Sequence, residues 1–232
     1  MTITAKERLE VQKFLDDEYE DGLDRLTELF GIKVRRYPED NLVLLDYNQI
    51  DSPKTHPIVI ECRSLILALD TLEVVSRKFD RFFNLGEAPD LYKDFDFESA
   101  VVMEKADGSL IGVYFNPHTR LWEISTRGMA KAEGEHVFGG TFREKVLKAF
   151  GFTNEADFQS LMTENWHEGY TYIFEYCGPE NRIVTKYNTA QMVLTGVTDN
   201  ATGEQAPFYC LEEWAQAFQK QFLFVRPPQK FD

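Results

Sequence analysis

Residues 105–109 (KADGS) contain the side chain with the clearest potential for covalent chemistry, the amine of Lys105. A lysine amine becomes a nucleophile only after it loses its proton, which burial, neighbouring cations or a bound metal can promote. The flanking pairs 103–104 and 109–110 predict two strand halves around a tight Asp-Gly turn, with Lys105 held in a strand. Ordinary hairpins contain similar strings, so the chemical interpretation depends on the other motifs of the chain.

Four other short strings accompany the lysine segment. Residues 61–64 (ECRS) and 76–84 (SRKFDRFFN) precede it, and residues 174–176 (FEY) and 181–184 (NRIV) follow it. In order and spacing, the five strings resemble those of the bacteriophage T4-type RNA ligase family. That family belongs to the covalent nucleotidyltransferases, together with DNA ligases and messenger RNA capping enzymes. The resemblance extends from about Leu26 to the last residue.

The resemblance implies an α+β fold, an antiparallel-sheet adenylation domain similar to the ATP-grasp type, with peripheral helices. We expect residues 1–232 to form a single adenylyltransferase domain with a helical N-terminal segment at 1–31. The family has two further motifs, a Glu-Gly-Tyr-Val-like strand and a Lys-x-Lys strand, which are expected beyond Asp232. Residues 168–171 (EGYT) are similar to the first, but they lead into the strand of residues 174–176, which favours a structural role. We therefore expect either a fragment of a longer protein or a second polypeptide that supplies these strands.

The resemblance also implies a reaction. Lys105 would attack the α-phosphorus of ATP, giving a lysyl-adenylate and pyrophosphate, with Mg²⁺ or Mn²⁺ as an essential ion. Cations aimed at the phosphate oxygens would stabilise the charge of the transition state, and Arg63, Arg81 and Arg127 are the candidates. The family commonly has lysine at the last two positions and glycine at that of Ser64, so the individual roles of these arginines stay open.

Glu175 occupies a position where the family uses a carboxylate to hold the ribose or a metal-bound water, and an oxygen ligand suits Mg²⁺. The alternative for Glu175 is an ion pair with Arg182. Phe83 is expected to pack near the nucleotide or in the core, and the backbone of Glu104 to contact adenine. The complete predicted nucleotide-binding set is Arg63, Arg81, Phe83, Glu104, Asp107, Gly108, Arg127 and Glu175.

The implied function is that of an ATP-dependent RNA ligase, which joins 5′-phosphate to 3′-hydroxyl RNA ends in RNA repair, with nicked tRNA as one RNA partner. Two alternatives stay open. The first is another covalent nucleotidyltransferase, a capping enzyme or a DNA ligase. The second is a split or degenerate ligase fragment that needs a partner chain or only binds nucleotide. Motifs of P-loop kinases, zinc proteases and serine hydrolases are absent from the sequence.

The composition is that of a soluble globular protein, with 43% hydrophobic and 28% charged residues. No apolar run approaches the roughly 20 residues that span a bilayer, so we expect no membrane partner and a cytoplasmic location, in the host if the protein is phage-encoded. The three cysteines form no Cys-x-x-Cys pair and predict no zinc site.

The net charge of −14 disfavours RNA binding, because counterion release rewards cationic surfaces. Residues 77–81 and 143–148 nevertheless carry clustered cations. They predict a local basic trough, although a solvated helix face is the favoured interpretation of the second cluster. We expect affinity for free RNA to be modest and sensitive to salt.

Hydrophobic periodicity defines the elements that must position these groups. Two N-terminal helices are predicted within residues 5–30, ending at Gly31. The predicted strands are 41–47, 58–69, 73–77, 101–115, 121–126, 170–177, 182–187 and 192–198. The predicted helices are 135–150, 154–166 and 211–222.

Overall fold

The computed structural model describes residues 8–18, 21–136, 139–219 and 225–231. The first of its two main sheets is antiparallel and has the order β1 (Ile32–Tyr37), β2 (Leu42–Tyr47), β3 (Arg63–Ala68) and β4 (Val74–Ser76). Every residue of β2 is buried, because both faces of this sheet are covered.

Three helices, α1 (Glu10–Glu18), α2 (Gly22–Phe30) and α3 (Pro57–Glu61), belong to the same half of the molecule as the first sheet. Side chains of the helices and of one sheet face share a core that comprises Val11, Leu15, Leu26, Ile58, Val59, Val43, Leu45, Leu65 and Leu67. Gly31 ends α2 in the left-handed conformation, with φ 64°, as the sequence predicts.

The second sheet has the strand order β10-β9-β8-β6-β7. Its members are β6 (Ser109–Asn116), β7 (Leu121–Thr126), β8 (Tyr170–Cys177), β9 (Gln191–Asp199) and β10 (Val225–Arg226), and only the β9–β10 pair is parallel. Helices α4 (Phe142–Phe150), α5 (Glu155–Asn165) and α6 (Phe208–Gln219) pack on this sheet around an aromatic core that includes Trp122, Phe150, Phe158, Trp166 and Phe174.

The two sheets meet through a smaller core. Leu42 and Leu44 of β2 face away from the helices and pack with Tyr114 of β6 and with Ala130. The Tyr114 hydroxyl is buried and donates to the Ala130 carbonyl oxygen at 3.0 Å, so the contact satisfies its polar group. The strand β2 therefore alternates between a helix-facing and a sheet-facing side.

A short third pairing brings the C-terminal segment back to the middle of the chain. Strand β5 (Val102–Met103) pairs in antiparallel fashion with β11 (Lys230–Phe231). It does not pair with β6, so the hairpin predicted around the Asp-Gly turn is wrong, and Lys105 lies in a loop between β5 and β6 rather than in a strand.

Several predicted elements are confirmed within one or two residues of the expected boundaries. They are the two N-terminal helices, the strands at 41–47, 73–77, 121–126, 170–177 and 192–198, and the helix at 154–166. The predicted helix at 211–222 is observed as α6, and its last three residues lie outside the described ranges. None of the helices in the described ranges is long and apolar enough to cross a membrane.

Other boundaries were wrong for identifiable reasons. The predicted strand 58–69 begins as α3, where Pro57 occupies the first helical turn, and only its second half is β3. The predicted helix 135–150 starts at Phe142, because Thr141 and Glu144 form a capping box; residues 137 and 138 of that prediction lie outside the described residues. Residues 182–187, all of them described, form no strand, and β1 was not predicted.

Candidate functional site

A cavity of about 820 Å³ is lined by residues from both main sheets and from the C-terminal segment. Its volume is within the usual range for small-molecule sites. Six predicted site residues line it: Arg63, Glu104, Lys105, Gly108, Arg127 and Glu175. Arg81, Phe83 and Asp107 are not among its lining residues, whereas Phe82 is, so Phe82 rather than Phe83 faces this space.

Lys105 is exposed in the loop at this cavity and forms no salt bridge with the described residues. The positive charge of Lys105 lowers the pKa of two nearby carboxyl groups, those of Glu175 and Asp107. Burial raises the pKa of Glu175, and attraction to Lys105 opposes that shift. Hydrogen bonds from the backbone of Thr185 and Val184 lower the pKa of Asp107, and Lys105 contributes further. Burial was one way in which the amine could lose its proton. The structure instead leaves the Lys105 amine exposed to solvent beside the cavity.

Gly108 fixes the second half of the Lys105 loop against β8. Its N–H donates to Oε1 of Glu175 at 3.0 Å. A Cβ atom at this position would overlap the carbonyl oxygen of Tyr176, so the close approach requires glycine. Glu175 consequently has one oxygen engaged with the Lys105 loop while it also lines the cavity.

Asp107 connects the Lys105 loop to the segment that contains the string NRIV. One carboxylate oxygen accepts the N–H groups of Val184, at 2.7 Å, and of Thr185. The N–H of Asp107 donates to the Tyr187 hydroxyl at 3.2 Å. The side chain of Asp107 therefore orders residues 182–187 without a strand ladder, which gives it a structural role next to the cavity.

Glu104 is held by the C-terminal segment. Its two carboxylate oxygens accept from Nη1 and Nη2 of Arg226 at 2.7 and 2.9 Å, a bidentate pair. The backbone N–H of Glu104 donates to the carbonyl oxygen of Gln229 at 2.7 Å. Because that N–H is engaged, an adenine contact from the Glu104 backbone would use its carbonyl oxygen. Arg226 was not predicted, because no local pattern links residues so far apart in sequence.

Three guanidinium groups surround Tyr47, at the end of β2. The carbon Cζ of Arg81 lies 4.2 Å from the centre of the Tyr47 ring, and that of Arg127 lies 4.7 Å from it. Arg63 interacts electrostatically with Tyr47, its carbon Cζ lies 4.6 Å from the centre of the Phe82 ring, and burial lowers the pKa of Arg63. Cation–π contacts orient these groups without neutralising their charge.

Asp46 is the carboxylate in contact with this arginine group. It accepts from Nε of Arg127 at 3.3 Å, and burial raises its pKa while Arg127 opposes that shift. One buried nitrogen, Nη1 of Arg81, has no acceptor among the described residues. Arg127 pairs with Asp46, whereas Arg63 and Arg81 form no salt bridge with the described residues, which leaves positive charge that suits a polyanionic ligand. Asp46 and Tyr47 were not predicted as site residues. The sequence feature that could have indicated them is a pair of polar residues at the end of an otherwise apolar strand.

A family model described as RNA ligase matches residues 61–229, which includes every cavity residue named above. The chain belongs to the T4-type RNA ligase family. This RNA ligase family member is 37% identical over 199 residues to a protein of Autographa californica nuclear polyhedrosis virus assigned as a bifunctional polynucleotide kinase/RNA ligase. That alignment covers 82% of this chain and 28% of the viral protein.

A second relative of this RNA ligase family member is a protein of Thermovibrio ammonificans assigned as an RNA ligase. The two are 32% identical over 194 residues, which is 81% of this chain and 46% of the relative. The chain thus spans less than half the length of these curated relatives. Among solved structures, an archaeal ATP-dependent RNA ligase shares the fold, with a TM-score of 0.54 over 97% of this chain and 54% of that chain, at 14% identity.

Four of the six cations of the predicted basic trough are buried or paired, whereas Arg81 lies over the Tyr47 ring and Lys148 is exposed. Lys78 is buried, and Arg77 pairs with Asp80. In the second cluster, Arg143 pairs with Glu123 and Glu155, and Lys145 pairs with Glu180. The charges of Arg77, Arg143 and Lys145 are therefore largely neutralised within the fold.

Proposed function

We propose that this chain carries the adenylation site of an ATP-dependent RNA ligase, with Lys105 as the nucleophile. The observation that carries the proposal is the cavity that combines an exposed lysine with two arginines and a carboxylate, Glu175. Membership of the RNA ligase family and the names of the relatives support the same activity.

The proposed first step joins Lys105 to AMP. The deprotonated Nζ atom attacks the α-phosphorus of ATP, and the amine releases its remaining extra proton to solvent. A nitrogen–phosphorus bond forms while the bond from the α-phosphorus to the bridging oxygen breaks, and pyrophosphate leaves with the electron pair. Arg63 and Arg127 would bind phosphate oxygens and stabilise the charge that develops on them.

A divalent cation, Mg²⁺ or Mn²⁺, is compatible with the residues present. No group of three or more potential metal-ligating His, Cys, Asp or Glu side chains occurs among the described residues. Mg²⁺ sites often use only one or two carboxylates together with substrate phosphates and water. Glu175 lines the cavity, makes no salt bridge within the described part of the chain, and would hold the ion directly or through water. When bound, the ion would neutralise phosphate charge.

In the complete reaction, we propose that the AMP is transferred to an RNA 5′-phosphate, which a 3′-hydroxyl end then attacks, releasing AMP. Nicked tRNA is one RNA with such ends. A single adenylyltransferase domain over residues 1–232 and a second polypeptide that contributes to the site both remain predictions.

The test is covalent labelling of the purified chain. The protein is incubated with α-labelled ATP or GTP and Mg²⁺, denatured and separated on a gel. We expect label from ATP in the wild-type chain and in Lys148→Ala, a control on α4, but none in Lys105→Ala. Label from GTP alone would favour a capping-enzyme activity instead, and equal labelling of Lys105→Ala would refute the proposed nucleophile.

A further inference from the structure

Ser64 occupies a β-bulge beside the cavity. In the pairing of β2 with β3, Leu45 faces Leu65 and Asp46 faces Arg63, so Ser64 is the extra residue. It is fully buried and adopts a left-handed backbone conformation, with φ 60°. This conformation is unfavourable for a residue with a Cβ atom and is usually supplied by glycine.

The hydroxyl and the carbonyl oxygen of Ser64 are both engaged by residues beside the cavity. The backbone of Ser64 also lowers the pKa of the Asp46 carboxyl group, and the Ser64 hydroxyl donates to the carbonyl oxygen of Thr126 at 3.0 Å. The ammonium of Lys78 donates to the Ser64 hydroxyl oxygen at 2.9 Å and to its carbonyl oxygen at 3.3 Å. The bulge is therefore tied to β2, to the end of β7 and to Lys78.

Lys78 is an unusual partner for this position. Its side chain is 1% exposed, and it forms no salt bridge with the described residues. Burial lowers its pKa to about 7, with Asp46 opposing and Arg63 reinforcing the shift. An apolar side chain would avoid the cost of burying this charge, so packing alone does not explain a lysine here.

The second sheet contains a matching slot for the lysine stem. Gly112 of β6 is the residue against which this stem lies, and a Cβ atom there would overlap Cε of Lys78. The neighbouring hydroxyl of Ser125 donates to the carbonyl oxygen of Gly112 at 3.2 Å. Three residues from different strands and segments, Ser64, Lys78 and Gly112, thus depend on one another.

We propose that Lys78 is a positioning residue for the nucleotide site, because it locks the Ser64 bulge and thereby directs Arg63 and the Thr126–Arg127 turn toward the cavity. The argument rests on the proposed function insofar as it assigns nucleotide phosphates to that cavity. Arg63 precedes the bulge directly, and a bulge reorients the side chains next to it. Arg127 follows Thr126, whose carbonyl oxygen holds the bulge hydroxyl.

A competing explanation is that Lys78 acts directly as a cation on the phosphates. The two explanations differ in their dependence on residue 64. Glycine adopts the left-handed conformation without assistance, so a positioning lysine becomes dispensable in Ser64→Gly. A lysine that acts through its charge remains equally important in that background.

The experiment is a double-mutant cycle with wild type, Lys78→Met, Ser64→Gly and the double variant. The probe is an ATP analogue with a methylene group between the α- and β-phosphorus atoms, so that affinity is measured without reaction. We expect Lys78→Met to weaken binding about tenfold when residue 64 is serine and less than about threefold in the Ser64→Gly background, a coupling typical of contacting residues. Equal losses in both backgrounds, or no loss in either, would overturn the proposal.

Amide hydrogen exchange at residue 64, without nucleotide, provides an independent readout of the lock. Lys78→Met should accelerate exchange of the Ser64 N–H, but should leave exchange at the same position nearly unchanged in the Ser64→Gly background. If wild type fails to bind the analogue, the proposed function fails, and exchange alone decides whether Lys78 locks the bulge. If Lys78→Met does not fold, Ser64→Ala replaces it in the comparison. Ser64→Ala loses the hydroxyl but retains Cβ and should weaken binding of the ATP analogue. Ser64→Gly should not weaken it.

Discussion

The arginines around Tyr47 show how single residues determine what the cavity can bind. Arg63 and Arg127 line the cavity, while Arg81 stacks on the same ring from outside the lining. A ring holds guanidinium groups in place but leaves their charge for a ligand, whereas an ion pair consumes it. Asp46 forms an ion pair with Arg127, whereas Arg63 forms no salt bridge with the described residues. Arg63 is therefore the cavity arginine with the most charge available to a phosphate.

We predict that Arg63→Ala and Glu175→Ala each lower the rate of self-adenylation at least about tenfold, since a lost charge-assisted contact at a phosphoryl-transfer site exceeds about 1.4 kcal/mol. The control is Arg36→Ala. It removes an exposed ion pair between Arg36 of β1 and Asp24 of α2, and it should retain activity. Folding is checked by circular dichroism. Wild-type rates in both folded variants would mean that these two roles are wrong.

A second prediction concerns the buried amine of Lys78 and the pH dependence of the free energy of unfolding. The folded state lowers its pKa to about 7, whereas the unfolded chain retains an ordinary lysine. At pH values between the folded and the unfolded pKa of Lys78, the unfolded state binds more protons than the folded state. The free energy of unfolding therefore rises with pH. Relative to Lys78→Met, the wild type should gain up to about 1.4 kcal/mol per pH unit above pH 7.

Urea denaturation of both proteins from pH 6.5 to 9 measures this difference. Asp46 and Arg63 face Lys78 and are present in both proteins, so their contributions cancel in the comparison to first order. Parallel stability curves for the two proteins would show that Lys78 does not titrate as its burial requires.

At the scale of elements, the sequence predicted what depends on local pattern. Strands 121–126 and 170–177 have alternating or continuous apolar residues with clear ends, and both were found. The Lys105 hairpin failed because β5 has only two residues and pairs with a strand more than 120 residues away. In the segment 182–187, where a strand was predicted, the carboxylate of Asp107 rather than a neighbouring strand accepts the N–H groups of Val184 and Thr185. Neither arrangement has a local signal.

The C-terminal strap, residues 225–231, yields a prediction at this scale. Its residue Arg226 holds Glu104, which immediately precedes Lys105, the proposed nucleophile. Arg226→Ala should slow self-adenylation about tenfold, because misplacement of a reacting group by a small distance reduces rate strongly. If Arg226 acts through Glu104, adding Glu104→Gln to Arg226→Ala should cost little more. Additive losses would mean that Arg226 has a separate role.

The whole molecule carries a net charge of −14, and its clustered cations are mostly paired inside the fold. The long-range field therefore opposes RNA, and we expect the proposed RNA binding to rest on a few phosphate contacts near the cavity. Four of the five motifs contribute residues to one cavity, as their order had led us to expect, whereas the string NRIV lines a different one. The pairing of Arg143 and Lys145 was not predictable, since it depends on partners from other elements.

We predict that affinity for single-stranded RNA with a 5′-phosphate falls about tenfold between 50 and 200 mM salt, as expected for two or three phosphate contacts. Fluorescence anisotropy across a salt series measures this dependence. Tight binding that is insensitive to salt would show that stacking or base contacts, rather than phosphates, dominate RNA recognition.

The central claim is that Lys105 becomes covalently linked to AMP, and peptide mapping by mass spectrometry tests it most directly. The chain is incubated with ATP and Mg²⁺, digested under conditions that preserve an acid-labile phosphoramidate, and compared with Lys105→Ala. We predict an AMP adduct on the peptide that contains Lys105 and on no other lysine. An adduct on a different lysine, or an undiminished adduct in Lys105→Ala, would contradict the account.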